Sequence, residues 1–150
     1  MEEVSLTDER VKGMGDWLIE VHDWFRTELA TLRRQAVAGE QLTPSTDLRA
    51  NCLAFCGYLT RHHTGEDGGV FPMLARIHPE LSEVVARLEK EHEVVAEILR
   101  ELQDLARDEG DRDRLVRGLD RLTAELTGHL RYEEETLFDV LNETPAPPMG

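Results

Sequence analysis

Apolar residues recur at helical spacing along almost the whole chain, and no segment alternates convincingly as a strand. The first predicted helix runs from about Thr7 to Ala38, and Thr7, Asp8 and Glu9 suit its N-terminus. Its apolar face carries Val11, Leu18, Phe25, Leu29 and Leu32. "AGEQLTPST" ends it. The second helix runs from about Thr46 to Ile77, with Gly68, Gly69 and Pro72 expected to kink or interrupt it late. "HPE" restarts the chain, with Pro79 well placed in a first turn, and the third helix runs from about Pro79 to Arg107. "DEGDRD" is a turn. The fourth helix runs from about Asp113 to Asn142, and the tail "ETPAPPMG" is expected to fray. Four long helices with short connections predict an all-α fold, an antiparallel up-down four-helix bundle forming one domain over residues 1–150.

Composition narrows the setting. Hydrophobic residues make up 40% of the 150, enough for a real core and too many for a disordered chain. No apolar run approaches the roughly 18 residues a spanning helix needs. "MEEVSLTDER" has neither the basic nor the apolar region of a signal peptide, so a cytoplasmic location is expected. The net charge of −14 opposes nucleic acid and anionic membrane, and neither is an expected partner. Excess carboxylates are also what a cation site contributes before its cations are counted. Cys52 and Cys56 lie one helical turn apart, an arrangement poor for a disulfide and unlike a zinc knuckle or CxxC motif. They read as small buried residues.

The histidines change the picture most. Of the six, His22, His62, His92 and His129 each fall on the inward stripe of a different helix. His22 lies between Leu18 and Phe25, and His62 follows Phe55, Tyr58 and Leu59. His92 shares a line with Val85, Leu88 and Leu99, and His129 follows Leu122 and Leu126. One inward histidine is ordinarily a hydrogen-bonded core residue. Four, one per helix, are costly to bury without a shared partner.

They also repeat. "HHTGEDGGVF" in the second helix matches "HLRYEEETLF" in the fourth, pairing His62, Glu66, Asp67 and Phe71 with His129, Glu133, Glu134 and Phe138. "EVHDW" in the first helix matches "KEHEVV" in the third, pairing His22 with His92. Positions i and i+4 differ by about 40° around a helix, so His62 with Glu66, and His129 with Glu133, can each reach one point. His62 and Glu66 could hold one metal ion and share the carboxylate with a second. His129 and Glu133 could do the same from the opposite helix, with His22 and His92 completing the two ions. Imidazole with carboxylate suits iron, manganese or zinc, and no thiolate cluster points to structural zinc or iron–sulfur.

Together "VHDWF", "HHTGEDGGVFP", "EKEHEVV" and "HLRYEEETLF" resemble the hemerythrin-like, HHE cation-binding domains over nearly the whole chain. The resemblance implies a four-helix bundle holding two non-heme irons bridged by carboxylates and an oxo or hydroxo ligand. It assigns iron ligands to His22, His62, Glu66, His92, His129 and Glu133. Two departures stand out. Where oxygen-carrying hemerythrins have a second histidine one turn before the helix C ligand, this chain has Leu88. Their helix D carboxylate would fall on Glu134, whereas helical geometry favours Glu133. His63, roughly 100° around the helix from His62, is the candidate replacement ligand, with a place at the rim of the site as its alternative. Asp67, Glu134, Tyr58 and Tyr132 are candidates to support the ligands from outside or bond a metal-bound oxygen. Trp17 and Trp24 read as packing residues, and His78 as a helix-start residue. These assignments imply binding or reduction of dioxygen, hydrogen peroxide or nitric oxide, an oxidoreductase-type chemistry. Oxygen activation on an organic substrate, or an iron or oxygen sensor or storage role, are the alternatives. Oligomeric state is not legible.

Overall fold

The computed structural model describes residues 13–39, 43–107 and 111–143. Helix α1 spans Met14–Ala38. Helix α2 spans Thr46–Gly65, passes into a π-helical turn at Glu66–Val70, and continues as α3, Phe71–Ile77. A single 3-10 turn, Pro79–Leu81, leads into α4, Ser82–Arg107, and α5 spans Arg112–Glu143. No strand occurs among the described residues. The proposed helix start at Thr7 and the C-terminal tail beyond Glu143 lie outside the described residues.

The helix ends are held by identifiable groups. Ser45 accepts a hydrogen bond from the Leu48 amide at 3.1 Å, capping α2. Asp111 accepts from the Arg114 amide at 2.7 Å at the start of α5. Arginines serve the exposed carbonyls at the C-terminal ends. Arg112 donates to the Ala36 and Val37 carbonyls at the end of α1, and Arg49 to those of Ala106 and Arg107 at the end of α4.

Contacts between helices fall in opposing order. On α1 and α5, Asp16 meets Asn142, His22 meets Glu134 and Arg33 meets Asp120. On α2 and α4, Arg49 meets Ala106 and His63 stacks on His92. On α4 and α5, Glu91 meets His129 and Glu101 meets Arg121. The apolar core forms two clusters. The larger includes Phe25, Leu59, Val95, Leu126 and Leu130. The smaller includes Leu18, Phe71, Leu88, Leu137 and Leu141. Each of the four helical rods, α2 through α3 counted as one, contributes to both clusters, and an inward histidine or glutamate lies between the two contributions. A polar layer therefore crosses the core about a third of the way along it.

The second helical rod is interrupted late, as Gly68, Gly69 and Pro72 lead one to expect. The interruption is one π turn, closed by the Phe71 amide donating to the Glu66 carbonyl. Pro72 has no N–H with which to continue regular i→i−4 bonding, and the two glycines are exposed and unconstrained by side chains. The wide turn has a geometric result. Residues five apart in a regular α-helix point roughly 140° apart. Here Glu66 and Phe71 are both buried and both face the core. On α5, which is regular, the corresponding Phe138 is only half-buried and Leu137 fills the inward place.

Helices α1 and α5 approach closely near the start of α1, about two turns from His22. A Cβ on Gly15 would lie 2.5 Å from the Phe138 carbonyl oxygen, a backbone atom that cannot swing aside. Gly57, by contrast, has open space around it. Gly15→Ala is expected to cost about 1–3 kcal/mol by forcing the two helices apart. Gly57→Ala is expected to be neutral or to stabilise by up to about 1 kcal/mol. Chemical denaturation of the two variants checks both, and equal effects would contradict the close approach.

Candidate metal centre

The polar layer gathers five histidines and two glutamates. His22 comes from α1, His62 and His63 from α2, Glu66 from the π turn, His92 from α4, and His129 and Glu133 from α5. Their ligand-capable atoms form two groups, each within a span of 4.8 Å: His63, Glu66, His92 and His129 in one, and His22, His62, Glu66 and Glu133 in the other. Glu66 belongs to both. Its Oε2 lies 3.4 Å from His62 Nε2 and its Oε1 lies 3.2 Å from His92 Nε2. Glu133 does the same from the opposite wall. Its Oε2 lies 3.7 Å from His22 Nε2 and its Oε1 lies 3.4 Å from His129 Nε2. Each carboxylate thus faces one histidine of each group with a different oxygen.

The inward atoms have no hydrogen-bond partner. The Nε2 atoms of His22, His62, His63, His92 and His129, both Glu133 oxygens and Glu66 Oε1 are buried and unsatisfied. A lone orphan of this kind costs about 1–3 kcal/mol, and a set of eight converging on one space has no ordinary structural explanation. Oriented imidazole lone pairs beside carboxylate oxygens are the donor set of a cation, so the residues fit a metal.

The outward faces of three rings are fixed. His22 Nδ1 pairs with Glu134, His92 Nδ1 with Asp67, and His129 Nδ1 with Glu91, each at 2.8 Å. Arg26 donates to Glu134 at 2.9 Å and Arg87 to Glu91 at 3.0 Å. A carboxylate on Nδ1 favours the tautomer that leaves Nε2 free to ligate, and orients the ring.

Electrostatics point the same way. Burial pulls His62 down to about 4 and His129 to about 4, the Glu91 bond only partly offsetting it for His129. Burial also lowers His22 and His63, so these four rings are held neutral, the ligating form. Burial pushes Glu66 up to about 7, and burial together with the neighbouring Glu66 carboxyl pushes Glu133 well above the carboxylate range. A cation between them would relieve that cost. Desolvation would raise Glu134 too, but the Arg26 and His22 hydrogen bonds outweigh it and hold that carboxylate below its usual value.

An apolar cavity of about 350 Å³ reaches one side of the layer. Met14, Leu18, Val21, Val70, Leu137 and Leu141 are among its walls, and His62, Glu66 and Glu133 are at its polar end. None of His63, His92 and His129 lines it.

Several sequence expectations need correction. Tyr58 is 48% exposed, packed against Trp24 and under Arg61, and makes no hydrogen bond or ring contact with the histidine layer among the described residues. Tyr132 lies beneath the Arg87 guanidinium at 3.7 Å and also stands outside the layer. Both flank their histidine stripes at the edge rather than on the inward line. Trp17 and Trp24 are 52% and 44% exposed; Trp24 packs edge-on against Phe25 and Tyr58, and Trp17 lines the cavity. Glu134 and Asp67 point outward onto histidine Nδ1 atoms, and Glu133 points inward. His63 is buried and its Nε2 joins the group of His92 and His129. His78 stands apart, accepting the Leu81 amide at 2.9 Å in the connector. Cys52 and Cys56 are free and buried. Glu91 and Arg26 were missed. The residue before His92 carries no helical-face signal, because its partner is on another helix.

The fold and this layer define an all-helical, histidine- and carboxylate-lined cation-binding domain. Residues 14–143 match the family model described as the hemerythrin HHE cation-binding domain, and the chain belongs to that family. Comparisons with curated proteins and with solved structures gave no match.

Glu66 and Glu133 set a signed expectation for the metal-free protein. Their folded values are raised above the ordinary 4.5, so their contribution is fully present below 4.5 and is lost as pH rises through the folded values. The lowered histidines act in the opposite window, losing stability as pH falls from 6.5 towards about 4. Above pH 7 the carboxyls therefore dominate. The metal-free protein is expected to unfold at a lower temperature at pH 8.5 than at pH 7, and metal loading should abolish the decline. A metal-free protein that gains stability over that interval would contradict the assignment.

Proposed function

We propose that the chain is an antiparallel up-down four-helix bundle holding two non-heme iron ions, and that it binds or reduces a small oxidant: dioxygen, hydrogen peroxide or nitric oxide. The observation carrying this reading is that Glu66 and Glu133 each face one histidine of both groups through separate oxygens. That is the arrangement two ions bridged by carboxylates require. Manganese or zinc would suit the same donors, and an oxo or hydroxo group would complete the bridge.

In this reading His63, His92 and His129 hold one ion and His22 and His62 the other. When bound, two ferrous ions supply two electrons and a position for the oxidant. Glu66 and Glu133 keep the pair together through the change of charge. Asp67, Glu91 and Glu134 hold the His92, His129 and His22 rings and raise their basicity. Leu18, Val21, Leu137 and Leu141 keep bulk water from the approach while admitting a small uncharged molecule. The approach ends at His62, so the oxidant arrives on the His22 and His62 side.

The cavity also favours a second reading, oxygen activation on an apolar organic substrate. A volume of about 350 Å³ lies within the range of small-molecule sites. No described helix is long and apolar enough to cross a membrane. We place the protein in the cytoplasm, without a nucleic-acid or membrane partner.

Anaerobic loading with ferrous iron followed by optical titration with each oxidant tests the first reading. Ligand-to-metal absorption is expected to develop with at least one of them, and silence with all three would overturn it. His129→Ala is expected to lose at least one ion per chain by metal analysis. Full metal content after loss of both His62 and His129 would show the site to be elsewhere.

A further inference from the structure

The two halves of the site correspond residue by residue, with two exceptions. His22 corresponds to His92, His62 to His129, Glu66 to Glu133 and Asp67 to Glu134. The supports correspond as well. Asp67, after Glu66, pairs with His92, and Glu134, after Glu133, pairs with His22. One exception is His63, which aligns with Leu130 and so has no counterpart; the other is the residue before the α1 and α4 histidines. On α4 it is Glu91, which fixes His129 Nδ1 at 2.8 Å. On α1 it is Val21. His62, the counterpart of His129, has no hydrogen bond on Nδ1 among the described residues.

Two further observations bear on His62. Val21 and His62 line the same cavity, so a carboxylate at position 21 would stand beside the His62 ring. The His62 side chain is 18% exposed, against 1% for His129. His63 also lacks a carboxylate on Nδ1, but it is buried and stacked on His92 at 3.8 Å between ring centroids. Its ring has nowhere to turn. His62 has the cavity.

We propose that Val21 leaves His62 unanchored, so that the ion held by His22 and His62 is the weaker, exchangeable one and His62 is the ligand that gives way at the cavity. The proposal rests on the two-ion reading above. A ligating histidine ordinarily donates its second N–H to an oxygen, and loss of that partner typically costs 10–100-fold in metal affinity. The two-histidine ion thus lacks both a third imidazole and one of its supports. The site is built with one firm ion, fixed by Glu91 and Asp67, and one that can open towards the side from which a small ligand arrives.

Cobalt(II) titration of the metal-free protein against a competing chelator tests this directly. The wild-type chain is expected to bind two ions in classes separated by at least about 10-fold. Val21→Glu, which restores the repeat, is expected to tighten the weaker class by about 10-fold and leave the stronger unchanged. Val21→Gln, carrying no charge, is expected to give a smaller gain. Glu91→Val makes the halves alike in the other direction and is expected to narrow the gap by about 10-fold. Nitrogen-15 spectra of the zinc-loaded protein give an independent reading. The Nδ1 protons of His22, His92 and His129 should be protected from exchange, and that of His62 should exchange until Val21→Glu protects it. Two equal sites in the wild type, or a protected His62 Nδ1 proton, would overturn the proposal while leaving the two-ion reading in place. Unchanged binding in both Val21→Glu and Glu91→Val, with helicity intact by circular dichroism, would overturn it likewise. Fewer than two cobalt ions in the wild type would overturn the two-ion reading and this inference with it.

Discussion

Two carboxylates and five imidazoles buried in a helical core with their inward atoms unbonded are the constraint on which the rest depends. Without a partner in the middle, that layer is a heavy cost to a fold of this size. The surrounding structure meets it from both sides. Leu- and Phe-rich clusters above and below the layer supply the apolar burial that holds four helical rods together. A ring of charged groups outside the layer, Glu134 with Arg26, Glu91 with Arg87, and Asp67, fixes three of the rings. What remains unsatisfied points at one small volume. A cation is the group that converts all of these orphan atoms into partners at once.

The π turn at Glu66–Val70 belongs to the same account. It allows Glu66 to face the layer and Phe71, five residues on, to face the core beneath it. Phe71 then packs against His92. On α5 the regular helix gives Leu137 that place, four residues after Glu133. The halves therefore agree in their ligand-type residues apart from His63, which aligns with Leu130, and differ in the helix geometry that delivers them.

Much of this was legible in the sequence. Helical periodicity located His22, His62, His92 and His129, because each sits three or four residues from buried apolar neighbours. The internal match located Glu66 and Glu133, and the i, i+4 rule separated Glu133 from Glu134. Other features depend on contacts between helices, which periodicity does not encode. Glu91 bonds a histidine on α5, so nothing in "EKEHEVV" marks it. Tyr58 follows Phe55 by three and is inward by count, yet it is half-exposed and packs against Trp24 on α1. Gly68, Gly69 and Pro72 located the interruption of the second rod, but Gly and Pro signal a departure from α-helix without saying which one, so its π form was not legible.

The central claim is that Glu66 and Glu133 join two metal ions in one site. Magnetic measurement on the iron-loaded, oxidised protein tests it most directly. Two ferric ions sharing these carboxylates should be spin-coupled, giving a paired Mössbauer spectrum with no high-spin ferric resonance in electron paramagnetic resonance. A full-intensity resonance from isolated high-spin ferric ions would contradict the account.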